Sequence, residues 1–363
     1  MKKKIWLIIG IIVAIAALVF AVMPRHAPVA QGDKPIIRIG AVLPLTGDYN
    51  ENGEIAKEAL LMFQRDLKDK NTRNRYEFII EGQDHWDLKS GSTISSKFVS
   101  HDKVSAIISY WDAAGQVVSQ NVKNAPVVHF NMGASMDTIS HSNSFNMGPR
   151  LSSEAAASLV EMKRLGVKEL AIIGNINSFA DTLMGEFRKQ AHDFGIKIVS
   201  DQSLSMGTRD FRTTLKKIES AKPDIVMSIL EIPDFDIMRK QMFELGIDIP
   251  FTSVQQTEYS ENSASFNDTW YIFYPDGSDK FLKNFKDFSK LRSTQNASII
   301  YDIASIIVQA FENSDSVAGA IEWLNAQKTF VGETGEKYKQ AGQFFQTEDI
   351  IKQVKDGKFE VVK

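Results

Sequence analysis

The feature of this sequence that most restricts its fold is a regular alternation of short apolar runs with amphipathic segments. Residues 36–43 (IIRIGAVL) are rich in β-branched side chains, and the turn sequence PLTG follows them at 44–47, so they predict a buried strand. Between residues 54 and 67 the apolar side chains recur at helical spacing, which predicts a helix after that strand. Repetition of this unit predicts a mainly parallel sheet with helices on both faces.

Two consecutive series of such units predict two lobes. The first series has predicted strands at 36–43, 76–80, 104–109 and 126–130. After the break at Gly148-Pro149, the second series has predicted strands at 169–173, 197–200, 224–230 and 251–253. At 363 residues the chain has room for two domains of ordinary size, so we predict an α/β protein with two doubly wound, parallel-sheet lobes. The remainder, with a predicted helix at 299–311 and a short final strand, is too small for a third domain.

The predicted strand ends indicate where a ligand would bind. Open parallel sheets bind ligands in the crevice beyond the carboxyl ends of their strands. We therefore expect the site to be formed by the loops that follow residues 43, 109, 130, 173, 230 and 253.

The composition excludes several classes of protein. The chain has no cysteine, which excludes disulfides, thiolate metal sites, a cysteine nucleophile and a lipid carried on cysteine. Its 42 basic and 45 acidic residues are mixed along the chain, with no long basic run. Nucleic acid is therefore not an expected partner.

The N-terminus predicts export. Lys2, Lys3 and Lys4 precede an unbroken apolar run from residue 5 to residue 23. The run is longer than the ~7–15 residues of a signal-peptide core and within the ~17–25 residues that span a bilayer. Residues 1–30 are thus expected to be either a cleaved signal peptide or a retained membrane anchor with a linker. In both cases the lysines on the short N-terminal side place the rest of the chain outside the cytoplasm.

The common sequence motifs of enzymes do not occur. The chain has no GxxxxGK[ST], GxGxxG, GxSxG or HExxH sequence. The acidic cluster DHWD at 84–87 could bind a metal or share a proton, but we favour a polar strand-to-helix loop with Asp87 at the helix start. His129 lies within an apolar run, which favours a buried, hydrogen-bonded histidine over a ligand-binding one. We predict no metal, no cofactor and no enzymatic activity.

The chain resembles the periplasmic leucine/isoleucine/valine-binding protein family of ABC transporters from about residue 36 to the C-terminus. No single motif is specific, and the resemblance depends on the order and spacing of many. They are IGAVLPLTG at 39–47 followed by Gly53, VSAII at 104–108, APVV at 125–128 leading to GAS at 133–135, DF at 210–211 ahead of KPD at 222–224, ELG at 244–246, YD at 301–302, GETG at 332–335 and DGKF at 356–359.

The resemblance implies a type I periplasmic binding protein fold, with two lobes joined by a three-strand hinge and a ligand buried between them. Mapped onto this sequence, lobe one would hold residues 35–149 and 278–330, and lobe two residues 150–277 and 331–363. The break at Gly148-Pro149 agrees with this division.

The resemblance also implies a set of ligand-binding residues. In the family's amino-acid binders, hydroxyls and backbone N–H groups near helix N-termini hold the ligand carboxylate, and Gly133 and Ser135 match that role. The full set of matching positions in this sequence is Asn52, Trp111, Asp112, Ala113, Gly133 and Ser135 in lobe one, and Phe179, Glu231 and Gln255 in lobe two.

The sequence departs from the family at four of these positions. Gln255 stands where amino-acid binders place a glutamate against the ligand ammonium, and Phe179 where the family usually has a tyrosine. Glu231 replaces an aromatic residue, and Asp112 a small hydroxyl residue. The two carboxylates could hold a cationic or hydroxyl-rich ligand, or re-create the ammonium site from another wall, and Glu231 could instead be a solvated loop residue. Trp111 could stack on a ring or a cation, or simply pack under the cleft.

These observations predict an extracytoplasmic solute-binding protein that captures a small polar organic ligand, an amino acid or amino-acid-like, for an ABC transporter. The expected partners are that ligand and a membrane permease or a sensor protein, and the expected state is a monomer. A second hypothesis is a ligand-sensing receptor of the same fold that feeds a signalling partner, which a retained N-terminal helix would favour. A third, an enzyme that uses the 84–87 cluster, lacks a matched nucleophile and base.

Overall fold

The computed structural model describes residues 34–85, 87–133, 141–260, 262–291, 293–340 and 343–362. The predicted signal peptide or anchor, residues 1–30, lies outside the described residues. Within the described part of the chain, no helix combines the length and the apolar character needed to cross a bilayer.

The secondary structure alternates strands and helices along most of the chain. In chain order, the N-terminal elements are β1 (Ile36–Thr46), α1 (Asn50–Leu67), β2 (Arg75–Asp84), α2 (Leu88–Lys97), β3 (Ala106–Tyr110), α3 (Asp112–Val122), β4 (Val128–Met132), β5 (Ser144–Gly148), α4 (Leu151–Arg164), β6 (Glu169–Asn175), α5 (Ser178–Gln190), β7 (Lys197–Leu204), α6 (Arg212–Ser220) and β8 (Ile225–Ile229). The C-terminal elements are α7 (Asp234–Glu244), β9 (Phe251–Ser253), α8 (Gln256–Tyr259), β10 (Trp270–Phe273), α9 (Asp279–Phe288), α10 (Ala297–Glu312), α11 (Val317–Ala326), β11 (Thr329–Gly332), β12 (Gly335–Gln340), β13 (Phe344–Gln346), β14 (Ile350–Lys355) and β15 (Lys358–Val361).

The strands form two sheets. The strand order is β11-β12-β13-β5-β4-β3-β1-β2 in the first sheet and β15-β14-β10-β9-β8-β6-β7 in the second. Strands of the β-α units pair in parallel, as β1 does with β2 and β3, and β6 with β7 and β8. Every residue of β3, β4 and β8 is buried, as expected for apolar strands covered by helices on both faces. The predicted α/β class with two parallel-dominated lobes is confirmed.

The chain crosses between the sheets at three places. These crossings run from β5 into α4, from β10 into α9 and from β13 into β14. Helix α4 packs on the second sheet, where Leu159 and Ile172 share one apolar cluster, and α10 packs on the first sheet. The three crossings form the hinge that the resemblance implies.

One segment belongs to a different sheet than the sequence predicted. Residues 331–346 were assigned to lobe two, but β12 and β13 extend the first sheet. The cause is a parallel pairing of β13 with β5, in which Phe345 lies opposite Met147. The Phe345 ring is fully buried 5.8 Å from that of Phe130. Only β14 and β15 of the C-terminal segment join the second sheet, and the predicted lobe boundaries after 149 and 277 stay predictions.

Candidate ligand-binding site

A cavity lies between the carboxyl ends of the strands of the two sheets. The space open to the centre of a water-sized sphere is about 60 Å³, room for roughly four to six water molecules. The described residues that line it are Tyr49, His85, Trp111, Asp112, Ala113, Met132, Gly133, Pro149, Asn177, Ser178, Phe179, Glu231, Gln255, Gln256, Tyr259 and Tyr274.

The parallel sheets account for this convergence. Loops after β1 to β5 supply the wall from Tyr49 to Pro149, and loops after β6, β8 and β9 supply the wall from Asn177 to Tyr259. Tyr274 follows β10, where the chain crosses back to the first sheet. Because the carboxyl ends of parallel strands meet at one edge of a sheet, side chains far apart in sequence face one space.

The cavity contains seven of the residues that the sequence proposed for ligand binding. They are Trp111, Asp112, Ala113, Gly133, Phe179, Glu231 and Gln255.

The other two proposed positions do not appear among these lining residues, for different reasons. Asn52 is buried in the first turn of α1, where its side chain interacts with the Tyr110 hydroxyl, and it lines a separate groove beside the hinge. Ser135 lies outside the described residues.

Trp111 holds its place through an unusual backbone conformation. Its φ of 64° lies in the left-handed region, which is rare and strained for a bulky residue. The Trp111 N–H donates to the carbonyl oxygen of Met132 at 2.6 Å, and α3 begins at the next residue. The indole packs edge-on against Tyr49 and His85, with ring centroids 4.8 and 4.9 Å away. It also faces Tyr259 of the other lobe at 5.8 Å.

Glu231 makes a direct contact between the lobes. The Tyr49 hydroxyl donates to Glu231 Oε2 at 2.6 Å. Burial raises the pKa of Glu231 because it disfavours the charged form, and nearby Asp112 raises it further, while hydrogen bonds from Tyr49, Gln256 and Asn177 partly offset the rise. The same burial, together with the Glu231 charge, raises the pKa of the Tyr49 hydroxyl. Glu231 is thus a half-buried, hydrogen-bonded group.

Gln255 has an acid directly behind it. Its Nε2 donates to Oε1 of Glu154 at 2.6 Å, and Glu154 is fully buried in α4. Burial raises the pKa of Glu154, and Asp349 raises it further. The hydrogen bond fixes the amide so that its nitrogen points away from the cavity.

Asp112 occupies the corner beside Gly133. It is the first residue of α3 and is buried. A Cβ atom at position 133 would lie too close to the Asp112 carboxylate and to the Asn131 amide, so any other residue there would displace these side chains. A carboxylate at the first turn of a helix also interacts favourably with the helix dipole.

Helix α8, which carries Gln256 and Tyr259, is anchored by a buried ion pair. Lys352 Nζ lies 2.5 Å from Glu258 Oε1 and 2.7 Å from Asp276, and the Tyr271 hydroxyl donates to the same Glu258 oxygen at 2.7 Å. A buried carboxylate is tolerated when it is paired and hydrogen-bonded in this way.

The sequence analysis also considered His85, Asp87 and His129. Asp87 caps α2, accepting a hydrogen bond from the N–H of Ser90 at 3.0 Å, and His129 is fully buried between two serine hydroxyls, so both interpretations are confirmed. His85, however, lines the cavity, and burial lowers its pKa to about 4, so its ring is neutral at pH 7. Among the described residues, no group of three or more metal-ligating side chains is placed to hold an ion.

Sequence reasoning missed several cavity residues. Tyr49 and His85 follow strands whose ends it had identified, so the strand-end rule could have found them. Tyr274 follows β10, a strand that the sequence analysis did not predict. The amides of Asn177 and Gln256 lie next to positions that were proposed.

Two α/β lobes that enclose a cavity at facing strand ends define a solute-binding protein of the type I periplasmic fold. A sequence profile described as periplasmic binding protein matches residues 36–357. The chain belongs to this periplasmic binding protein family. Members of the family are extracytoplasmic proteins that bind small molecules and deliver them to the permeases of ABC transporters.

Two curated relatives are distant. Leu/Ile/Val-binding protein homolog 2 of Brucella abortus is 21% identical over 223 residues, 60% of each chain. The leucine-, isoleucine-, valine-, threonine-, and alanine-binding protein of Pseudomonas aeruginosa is 22% identical over 251 residues, 64% of each chain. The chain thus spans less than two thirds of the length of the curated relatives it matches.

Solved structures match over nearly the whole described chain. A leucine-binding protein of Thermotoga maritima has a TM-score of 0.81 at 15% identity, covering 90% of this chain and 98% of that one. A Streptococcus pneumoniae substrate-binding protein in complex with isoleucine has a TM-score of 0.78 at 18% identity, covering 90% and 99%. A Rhodopseudomonas palustris solute-binding protein in complex with benzoate has a TM-score of 0.79 at 16% identity, covering 90% and 95%. At these identities the similarity shows the fold alone.

Proposed function

We propose that this protein captures a small polar organic ligand, an amino acid or amino-acid-like, between its lobes outside the cytoplasm and delivers it to the membrane permease of an ABC transporter. One observation carries the proposal: the cavity is closed by contacts between the lobes, above all the hydrogen bond from Tyr49 to Glu231. Such a cavity, lined by aromatic rings and a few fixed polar groups, has the composition of a small-molecule site.

Closure explains how binding would be transmitted to a partner. A ligand that touches both lobes stabilises the closed state relative to the open one by its differential affinity for the two states. Trp111 on one lobe and Glu231 on the other are the side chains best placed for this. Together with Asp112, Phe179 and Gln255, they are the proposed core of the site.

A thermal-shift screen of the purified protein tests the proposal. The compounds are amino acids, polyamines, aromatic acids and amides, and a binder at 100 times its Kd is expected to add about 2.7 kcal/mol of stability. Small-angle scattering should then show a smaller radius of gyration with the ligand, since closure compacts the molecule. Bound ligand recovered unchanged by mass spectrometry supports binding without turnover. No stabilisation by any compound, or conversion of the ligand, would contradict the proposal.

A further inference from the structure

The charges around the cavity are all of one sign. Asp112 and Glu231 reach it from opposite lobes, and the described lining residues include no lysine or arginine. Asp112 raises the pKa of Glu231, so the two carboxylates repel each other across the closed cleft. A cation between them would relieve that repulsion.

The corner that would hold a ligand carboxylate is already filled with a carboxylate. In the family's amino-acid binders this corner would be the one near Gly133, but here Asp112 occupies the space where a Cβ at position 133 would lie. A ligand carboxylate placed there would meet a like charge in a buried site, where such repulsion is only weakly screened. A zwitterion or an organic anion therefore fits this corner poorly.

Gln255 adds a hydrogen-bond acceptor on the opposite side. Its amide nitrogen donates to Glu154, and its amide oxygen, which accepts from the Tyr259 hydroxyl at 3.5 Å, has a second lone pair that can accept from a ligand. The oxygens of Asp112, Glu231 and Gln255 together favour a ligand that donates hydrogen bonds or carries positive charge.

Aromatic rings supply the remaining walls. Tyr49, Trp111, Phe179, Tyr259 and Tyr274 all line the cavity. The Tyr49 and Trp111 rings meet at 85° and the Trp111 and Tyr259 rings at 67°, so these rings pack edge to face and are not stacked. Faces of such rings within about 6 Å attract ammonium groups through their negative quadrupole.

We propose, on the basis of the solute capture proposed above, that the ligand is not an amino acid but a small organic ammonium ion without a carboxylate, held between Asp112 and Glu231 among aromatic rings. The class covers protonated primary amines and methylated ammonium ions, which share this recognition chemistry. The small volume of the closed cavity excludes large polycations.

Isothermal titration calorimetry with matched probes tests the ligand class. Choline and ethanolamine are the cations. The controls for choline are 3,3-dimethylbutan-1-ol, which has the same shape without the charge, and glycine betaine, which has the same trimethylammonium group with a carboxylate. Leucine and benzoate represent the ligands of the structural neighbours. We expect at least one cation to bind tenfold or more tightly than every control.

Each other outcome overturns a specific statement. If 3,3-dimethylbutan-1-ol binds as well as choline, charge is not recognised. The ammonium assignment is wrong, while solute capture stands, if glycine betaine, leucine or benzoate binds more tightly than both cations. The same conclusion follows if the wider screen yields only ligands that carry a carboxylate or no positive charge. If nothing binds in either experiment, the proposed function fails as well.

Variants locate the charge that is recognised. Asp112→Asn and Glu231→Gln should each weaken binding of the cation about tenfold and leave binding of the uncharged isostere within twofold. The matched controls are Asp193→Asn and Glu336→Gln, which remove exposed carboxylates remote from the cavity. If all four variants bind the cation equally well, the two cavity carboxylates do not select the ligand.

Discussion

The two walls of the cavity are held in place by different forces. On the first lobe, Tyr49, His85 and Trp111 pack edge to face, with every pair of ring centroids within 5.3 Å. On the second lobe, hydrogen bonds do the positioning: the Glu231 N–H donates to Asn175 at 2.7 Å, and Gln255 donates to Glu154. One wall is an apolar surface with one buried acid, and the other is a polar network.

The contrast indicates that the two walls act at different stages of ligand binding. The ring contacts among Tyr49, His85 and Trp111 all lie within the first lobe, so we infer that this wall is formed before the lobes close. The hydrogen bond from Tyr49 to Glu231, by contrast, joins the two lobes. We infer that a ligand first docks on the aromatic wall and that the polar wall then closes over it, which is a two-state change of the kind expected for hinged proteins.

The largest expected effect comes from the preformed wall. Trp111→Ala removes the ring that contacts both lobes, and loss of such an anchor costs about 2 kcal/mol or more, roughly thirtyfold in Kd. Trp111→Phe, which keeps a ring, should lose less. Kd from calorimetry and Tm from thermal unfolding are measured on the same samples.

A second tryptophan distinguishes ligand contact from packing. Trp323→Ala removes a half-buried indole that packs on the core and does not line the cavity. It should lower Tm and leave Kd unchanged. A collapsed Tm with unchanged Kd for Trp111→Ala as well would show that Trp111 only packs under the cleft.

Glu231→Gln is expected to have the next largest effect, because it neutralises the polar wall while keeping its shape. Loss of a charge-assisted hydrogen bond at a buried site costs on the order of 1.5 kcal/mol, about tenfold in Kd. Unliganded stability should fall little, since burial already disfavours the ionised carboxylate. An unchanged Kd would remove Glu231 from the site and leave the first lobe as the only recognition surface.

The sequence was sufficient for the fold class and for the place of Trp111 in the first wall, since both depend on local pattern, but Tyr49 and His85 of the same wall were missed. Buried strands with helices behind them predict parallel sheets, and parallel sheets place Trp111 and Gly133 at strand ends. The sequence pattern could not predict which strands pair when they lie far apart in the chain. Strand β13 joins the first sheet through β5, nearly 200 residues earlier in the chain, and its short sequence carries no sign of that partner.

For the second wall, the sequence could not predict which distant side chains contact each other. Substitution of the family's glutamate by Gln255 suggested that the ammonium-binding acid was lost, but Glu154 reaches the amide from a helix 101 residues away. For Asn52, the sequence indicated a position near the site. It could not show that α1 is rotated so that the Asn52 side chain interacts with the Tyr110 hydroxyl. In both cases the missing information is side-chain direction, which tertiary packing sets.

A smaller effect is expected from the bond that joins the two walls. Tyr49→Phe keeps the ring of the first wall and removes the hydroxyl that donates to Glu231, a net loss of about 1 kcal/mol, roughly fivefold in Kd. Combined with Glu231→Ala, which removes the acceptor of this bond, the two losses should sum to less than their separate values, because both variants remove the Tyr49–Glu231 contact. Tyr338→Phe is the matched control, since that exposed hydroxyl donates to Glu336 within one lobe. Additive losses would show that the hydrogen bond does not couple the lobes.

The smallest expected effect is a change of affinity with pH, and its sign follows from Glu231. Its pKa is raised above the ordinary 4.5 by burial and by Asp112, so the carboxylate gains a proton as the pH falls through this raised value. A cationic ligand needs the ionised form. Affinity should therefore fall as the pH is lowered from 7.5 through this raised value, by about two- to fivefold if one group titrates over part of its range. His85, with a pKa of about 4, stays neutral over this range and contributes little.

Calorimetry in two buffers of different ionisation enthalpy tests the same coupling between ligand binding and the protonation of Glu231. By reciprocity, a cation that prefers ionised Glu231 must lower the pKa of that carboxyl and release protons on binding at mildly acidic pH. The observed enthalpy should then differ between the two buffers, and Glu231→Gln should abolish both this difference and the slope of Kd against pH. If affinity instead rises as the pH falls, the ligand is recognised as an anion or binds the protonated form of Glu231. The polar wall would then donate a hydrogen bond to the ligand and would not supply a negative charge opposite it.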